Sequence, residues 1–242
     1  MLDFYKQLAE LTDDALCVSI IKGDGTGSKA IWQKGNFIYQ EGSGSVLKNF
    51  EPELAKTKKN QLLTLNGSTA FCEFMSREKH LIVCGAGHIS MPIIKIGKML
   101  DFKVTVIDDR LLFANNARAA GADTVFCEPF AQALAKIDGG SNYFFVIVTR
   151  GHRYDQVCLT EILSKENAYT GMIGSRVRVK KIMELLAAEG FEPELLKSVH
   201  SPIGLKIGAQ TPSEIAVAIM AEIIQIKSQT KNSFGYPEEI LS

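Results

Sequence analysis

Beyond residue 80, short apolar runs that predict buried strands alternate with apolar positions spaced as on one face of a helix. The predicted strands are 81–84, 104–107, 124–127, 143–149 and 168–173, with a short edge strand at 198–200. The predicted helices are 89–100, 114–121, 129–137, 155–166, 175–189 and 212–227. Strands and helices in alternation are typical of a parallel sheet with helices on both faces. We therefore expect an α/β fold with a Rossmann-type, doubly wound, mostly parallel sheet.

The first 78 residues have a different pattern. A short amphipathic helix over 1–11 precedes apolar stretches separated by glycine-rich turns, which we interpret as hairpin turns in preference to ligand-binding loops. The predicted strands are 15–22, 29–33, 37–40, 61–65 and 71–75. We expect a small N-terminal β-rich module (1–78), a Rossmann-type domain (79–228) and a C-terminal tail (229–242).

The turn after the first strand of the larger domain is the best candidate for a ligand loop. Gly85 and Gly87 let the backbone fold sharply and approach a ligand, and the helix that follows points its free amides at an anion. His88 lies in the first turn, where its imidazole could contact that ligand. Asp108, at the end of the next strand, occupies the position where dinucleotide-binding folds bind a ribose hydroxyl.

A second candidate loop follows the most apolar strand. It contains His152 and Asp155 together with two arginines, and polar groups in such a place require a ligand or a hydrogen-bond network. The simpler alternative is that Asp155 caps its helix and His152 bonds a neighbouring loop.

A third loop, at the end of the 168–173 strand, has the composition of an anion-binding cradle. Gly174 ends the strand, Ser175 is the predicted N-cap, and Arg176 lies in the first turn, where it can bind a phosphate. Basic residues at a helix start oppose the helix dipole unless an anion is present. The glycine-rich segment 201–209 is expected to lie over this site or to serve only as a connection, and Thr211 to Glu214 predict a capping box.

Composition excludes several classes of protein. Its 27 basic and 27 acidic residues cancel, so no basic field indicates nucleic acid or membrane binding. No apolar run is long enough to span a membrane and the N-terminus resembles no secretion signal, so we expect a cytoplasmic location. Five widely spaced cysteines are expected to be free, buried thiols, and no histidine or cysteine spacing indicates a protein-built metal site.

The loops together resemble the xanthine dehydrogenase accessory protein family of the XdhC/CoxI type. The resemblance covers about residues 80–226, through LIVCGAGHIS, VTVIDDR, the 149–155 loop, YTGMIGSR and, above all, SPIGLKIGAQTPSEIAVAIMAEII. It implies a protein that binds the molybdenum cofactor (molybdopterin), protects it during sulfuration by a cysteine desulfurase, and helps insert it into a xanthine dehydrogenase-type molybdoenzyme. The cofactor-binding residues would then be among Gly85, Gly87, His88, Asp108, His152, Asp155, Gly174, Ser175 and Arg176.

The N-terminal module departs from this family. Members carry a Ser-x-Pro-Arg turn and a Gly-Gly-Cys segment followed by an acidic residue, whereas this chain has TGSK at 26–29 and GSGS at 42–45. The family cysteine is therefore missing, and no site residue is assigned to 23–45.

These features predict a carrier or insertion factor rather than a turnover catalyst, with the molybdoenzyme and the sulfur donor as partners. A homodimer is an open alternative to a monomer. One rival is an NAD(P)-dependent oxidoreductase that uses Gly85, Gly87 and Asp108 for the dinucleotide and His152 as acid or base. Another is a protein adaptor that has lost its ligand.

Overall fold

A computed structural model describes the backbone of residues 2–11 and 13–229, and their side chains except those of Leu2, His152, Ser228 and Gln229. The chain divides into two compact units, Met1–Arg77 and Glu78–Ser242. The tail predicted over 229–242 lies outside the described residues, apart from Gln229 at the end of the last helix.

The first unit is built on a five-stranded antiparallel sheet of order β3-β2-β1-β5-β4. Its elements are α1 (Leu2–Ala9), β1 (Ala15–Lys22), β2 (Lys29–Gln33), β3 (Asn36–Glu41), α2 (Gly44–Asn49), α3 (Glu51–Leu54), β4 (Gln61–Leu65) and β5 (Ser68–Met75). All five predicted strands form, and β5 begins three residues earlier than predicted.

The sequence pattern missed the two short helices of this unit. Helices α2 and α3 place Leu47, Phe50 and Leu54 in a core against one face of the sheet, while α1 packs on the other face. Elements of six and four residues are too short to establish a helical period. The turn at Gly42 therefore leads into a helix and is not the hairpin turn that we predicted.

The second unit is built on a five-stranded parallel sheet of order β10-β9-β6-β7-β8. Its strands are β6 (Lys79–Cys84), β7 (Phe102–Ile107), β8 (Thr124–Phe126), β9 (Gly140–Ile147) and β10 (Asn167–Met172). Its helices are α4 (Ser90–Met99), α5 (Leu111–Ala119), α6 (Phe130–Ala135), α7 (His152–Leu163), α8 (Arg176–Ala188), α9 (Pro193–Lys197) and α10 (Pro212–Gln229). The predicted doubly wound α/β fold is confirmed.

Two apolar cores explain why the strands of this sheet are almost continuously apolar. Along β6, Ile82 and Cys84 pack under α6 to α9, whereas Leu81 and Val83 pack under α4, α5 and α10. Because helices cover both faces, neither set of alternating side chains can be polar. Four of the five cysteines are buried as expected; Cys127 is exposed, which corrects that prediction, and all five are free thiols.

Two differences from the prediction bear on the candidate site. Helix α7 begins at His152, three residues earlier than expected, with Gly151 in extended backbone as its N-cap. Asp155 therefore lies inside the helix, and its alternative interpretation as the helix cap is wrong. The strand expected at 198–200 is reduced to one parallel bridge between Gly171 and His200, after the short helix α9.

Candidate functional site

The glycine turn after β6 is shaped by its own backbone. Gly85 has a positive φ of 104°, and an added Cβ would lie 2.7 Å from the Val148 carbonyl oxygen. Its N–H donates to the Ile107 carbonyl at 2.8 Å, so the turn continues the sheet between two strand ends. The Ser90 hydroxyl is buried and donates to the Gly85 carbonyl at 2.6 Å. Dinucleotide-binding turns usually carry a third glycine or alanine at this position, where a small residue lets helix and sheet pack closely. Ser90 takes that place here, and its hydroxyl attaches the start of α4 to the turn.

The carboxylate of Asp108 is already saturated by protein donors. Its Oδ2 accepts hydrogen bonds at 2.8 Å from the Ala86 N–H and from Arg110 Nη2, and its Oδ1 accepts from Arg110 Nε at 2.8 Å. Burial opposes its ionisation, but these bonds outweigh burial and hold the pKa of Asp108 below its ordinary value. The Arg110 guanidinium also stacks on the Phe113 ring, 3.5 Å from its centroid. Asp108 therefore ties β7 to the glycine turn.

Gly87 and His88 are the open part of the turn. A Cβ on Gly87 would meet nothing within 4 Å, and the His88 side chain is exposed. The first amides of a helix have no acceptor inside it, so this point can accommodate an anion. The geometry permits a ligand here without specifying one.

Asp155 forms a second buried carboxylate network. Its side chain is fully buried and accepts a 2.5 Å hydrogen bond from the Thr149 hydroxyl and a further one from Arg178 Nη2. Arg178 lies in the first turn of α8, so this bond joins the starts of α7 and α8. The anion expected opposite the basic start of α8 is, for Arg178, the protein's own carboxylate. The side chain that binds Asp155 is therefore Arg178, not Arg176.

The cradle predicted at 174–176 forms the start of α8. Ser175 is the N-cap, and its hydroxyl accepts a 3.3 Å hydrogen bond from the Arg178 N–H. Gly174 lies against the Arg178 side chain, where an added Cβ would be 3.4 Å from Cδ. Arg176 is exposed, and it lines a cleft with a segment that lies far along the chain.

That cleft is a cavity at the carboxyl edge of the sheet. It has a volume of about 440 Å³ and lies between the start of α8, residues 202–209 and the first turns of α10. The apolar residues that line it include Ile203, Leu205, Ile207, Ile215 and Ala218. Arg176 and Lys206 supply positive charge. Apolar walls with a few placed charges are the usual composition of a small-molecule site.

The segment that carries Lys206 is held in place by α10 and β10. We refer to residues 201–209 as the cleft loop. The Leu205 N–H donates to the Ala218 carbonyl, and the Ile203 N–H donates to the Met172 carbonyl, both at 3.1 Å. The predicted capping box at the start of α10 is confirmed, because Glu214 accepts from the Thr211 N–H at 2.9 Å while the Thr211 hydroxyl accepts from the Glu214 N–H at 3.3 Å.

The sequence model of one protein family, the XdhC Rossmann domain, matches residues 81–223, which is more than half of the chain. The chain belongs to the XdhC Rossmann domain family. The matched range contains the glycine turn, both buried carboxylate networks and the cleft, so the resemblance inferred from the loops is confirmed.

Relatives of this XdhC Rossmann domain include proteins from two bacteria. A protein of Bacillus subtilis described as a probable xanthine dehydrogenase subunit is 30% identical over 159 residues, covering 66% of this chain and 46% of that protein. The uncharacterized protein YqeB of Escherichia coli is 29% identical over 161 residues, covering 66% of this chain and 29% of that protein. The chain thus spans less than half the length of these curated relatives.

A solved structure has a similar fold. The crystal structure of a xanthine dehydrogenase from Bacillus halodurans matches with a TM-score of 0.69 at 25% identity, covering 96% of this chain and 68% of that one.

Within the XdhC Rossmann domain, the predicted site residues fall into three groups. Gly85, Gly87, His88 and Asp108 belong to the glycine turn and its support, and Asp155 belongs to the network that positions α8. Gly174, Ser175 and Arg176 form the edge of the cleft. His152 begins α7, and its side chain lies outside those that the structure describes.

Several residues that shape the cleft were not predicted. Lys206 and Ile207 lay in a segment that we interpreted as a loop over the site or as a plain connection, and Glu222 and Tyr169 were not singled out. Within the described part of the chain, no group of three or more histidine, cysteine or acidic residues could hold a metal ion. No helix there is long and apolar enough to cross a membrane.

Proposed function

We propose that the cleft binds the molybdenum cofactor, and that the protein is a carrier or insertion factor for it. The observation that supports this most is the cleft itself, in which Arg176 and Lys206 lie among apolar walls at the carboxyl edge of the sheet. Molybdopterin combines a flat ring system with a terminal phosphate. Apolar walls suit the ring, and a guanidinium at a helix start suits the phosphate.

In this proposal the chain's residues bind and orient a cargo rather than transform it. Arg176 would hold the phosphate, Lys206 would add positive charge, and Ile203, Leu205 and Ile207 would shield the ring from water. The cofactor itself supplies the molybdenum chemistry once it reaches the enzyme that uses it. Gly87 and His88 remain predicted contacts for the cofactor.

We further propose that the recipient is a xanthine dehydrogenase-type molybdoenzyme, with a cysteine desulfurase as the source of sulfur. The recipient is supported by the Bacillus subtilis relative, which is named as a probable component of a xanthine dehydrogenase. The sulfur donor rests on the family resemblance alone.

The oxidoreductase alternative has less support. It needs Asp108 to accept hydrogen bonds from a ribose hydroxyl, yet both oxygens of that carboxylate already accept from Arg110 and one also from Ala86. Binding a ribose there would require Arg110 to leave its buried partner.

The test is equilibrium binding of purified protein to molybdenum cofactor released from a molybdoenzyme, under anaerobic conditions, with NAD(H) and NADP(H) titrated in parallel. We expect saturable pterin binding that Arg176→Ala weakens by roughly 10- to 100-fold, because a charge-assisted hydrogen bond contributes about 1.5–3 kcal/mol. Arg176 is exposed, so the thermal midpoint should barely change.

The matched control is Lys181→Ala, which removes another exposed cation of α8 that does not line the cleft. Its affinity should stay within about twofold of the parent protein. No saturable pterin binding by the parent protein would overturn the carrier proposal, and equal affinities of parent and Arg176→Ala would move the site away from the cleft.

A further inference from the structure

Glu222 connects the cleft loop to the core of the domain. It lies on α10, one turn beyond Ala218, which lines the cleft. Its Oε2 accepts hydrogen bonds from the Tyr169 hydroxyl at 2.6 Å and from the Gly204 N–H at 3.0 Å. Its side chain is only 13% exposed, and Oε1 lies 3.8 Å from His200 Nδ1. A carboxylate that is mostly removed from water needs such donors to remain in place.

Gly204 has little freedom to find another position. Its φ is +94°, and an added Cβ would lie 3.2 Å from backbone atoms of Ala218 and Ile219. The cleft loop therefore lies directly against the α10 backbone at this residue. Leu205, Lys206 and Ile207 follow Gly204 and line the cleft. The contact between Gly204 and α10 therefore sets where these three residues lie.

Tyr169, on β10, holds the Glu222 carboxylate from the side of the sheet. Its ring is buried on β10 and stacks on the His200 ring, with centroids 4.9 Å apart. Burial, followed by the hydrogen bond to Glu222, raises the pKa of Tyr169, so its hydroxyl remains a donor. A Cβ on Gly171 would collide with the Tyr169 hydroxyl and the Ile203 side chain, which shows how tightly strand, ring and cleft loop pack.

From these contacts we infer that Glu222 is a positioning residue for the cleft. It does not line the cleft. By holding the Gly204 amide between α10 and Tyr169, it sets the position of Lys206 and Ile207 opposite Arg176. The identity of the ligand in this inference rests on the proposed function. The statement that Glu222 holds the cleft loop in one position rests on the contacts alone.

The first test needs no ligand and uses hydrogen exchange of the full chain. Glu222→Ala removes the acceptor of the Gly204 amide, so exchange at 204–207 should become about tenfold faster or more, while β6 and β9 stay protected. Glu222→Gln keeps an acceptor oxygen and should restore protection. Unchanged exchange at 204–207 in Glu222→Ala would overturn the inference.

The second test measures affinity for molybdenum cofactor under the anaerobic conditions above. Glu222→Ala should raise the Kd about tenfold, Glu222→Gln should recover most of the affinity, and Tyr169→Phe should fall between them. Val217→Ala is the matched control, because it alters an exposed side chain of the same helix and should leave the Kd unchanged.

The two tests separate the two ideas. If Glu222→Ala loses its global fold, Tyr169→Phe still decides the inference, because it removes the hydroxyl that holds the Glu222 carboxylate. Unchanged exchange at 204–207 and an unchanged Kd in Tyr169→Phe would then overturn the inference. If the parent protein binds no pterin, the proposed function fails, while hydrogen exchange still reports whether Glu222 orders the cleft loop. Faster exchange with an unchanged Kd would overturn the positioning role.

Discussion

Arg178 donates a hydrogen bond to the fully buried carboxylate of Asp155, and this contact joins the first turns of α7 and α8. Both helices begin at the carboxyl edge of the sheet, after neighbouring parallel strands. The pair therefore holds the helix that carries Arg176 without itself lining the cleft.

We expect Arg178→Met to lower the free energy of unfolding by about 3 kcal/mol, because it leaves Asp155 buried without its charged partner. Urea unfolding at pH 7 measures this. Lys180→Met is the matched control, since Lys180 is exposed and pairs with exposed Glu184, and it should change stability by less than about 0.5 kcal/mol. Equal effects of the two substitutions would show that the buried pair does not hold α8.

Asp108 should make stability depend on acid pH. Hydrogen bonds from Arg110 and Ala86 place its folded pKa below the ordinary value of 3.8, so its contribution is complete above that value. The contribution is then lost as the pH falls through the folded pKa. Asp108→Asn should cost roughly 2 kcal/mol at pH 7 and much less near pH 2, measured as urea midpoints at both pH values. Asp109→Asn, at a more exposed side chain, is the control. A cost of Asp108→Asn that is the same at both pH values would contradict this account.

The glycine turn allows a direct comparison of two glycines. Gly85→Ala combines a left-handed backbone with a Cβ that would lie 2.7 Å from the Val148 carbonyl oxygen, so we expect a loss of roughly 3 kcal/mol. Gly87→Ala meets open space and should be neutral or slightly stabilising. Thermal unfolding of the two variants in parallel measures the difference. Equal midpoints would show that the turn relaxes around the added methyl group.

Nucleotide titration tests the oxidoreductase alternative independently of pterin. With Asp108 bonded to Arg110, we expect the Kd of NAD⁺ and of NADH to be above about 1 mM. This limit corresponds to a binding free energy of roughly −4 kcal/mol. Calorimetry of the parent protein measures this directly. Micromolar NAD(H) binding would show that the ribose replaces Arg110 as the partner of Asp108, and it would support the oxidoreductase alternative.

Much of the second unit could be predicted because its signals are local. The glycine turn at 85–87, the apolar run of β9 and the Thr211 capping box can each be recognised from residues a few positions apart. The short helices α2 and α3 could not be predicted in the same way, since their stability comes from packing Leu47, Phe50 and Leu54 on the sheet.

The basic start of α8 shows the limit of the sequence most clearly. An opposing anion was expected there, and a ligand was the natural candidate. The structure assigns two neighbouring arginines to different tasks, with Arg178 bound to Asp155 and Arg176 lining the cleft. Helical geometry separates residues two positions apart by about 200°, so adjacent cations point to different partners.

The residues alone predicted the order of the strands and of every helix except the short α2, α3 and α9, the glycine turn, and the family to which the chain belongs. The packed domain was needed to show that Asp108 is bonded to Arg110, that Lys206 faces the same cleft as Arg176, and that Glu222 holds Gly204. Distance along the chain explains the difference. Periodicity and turn chemistry act over a few residues, whereas a buried carboxylate takes its donors from whichever elements the packed sheet brings beside it.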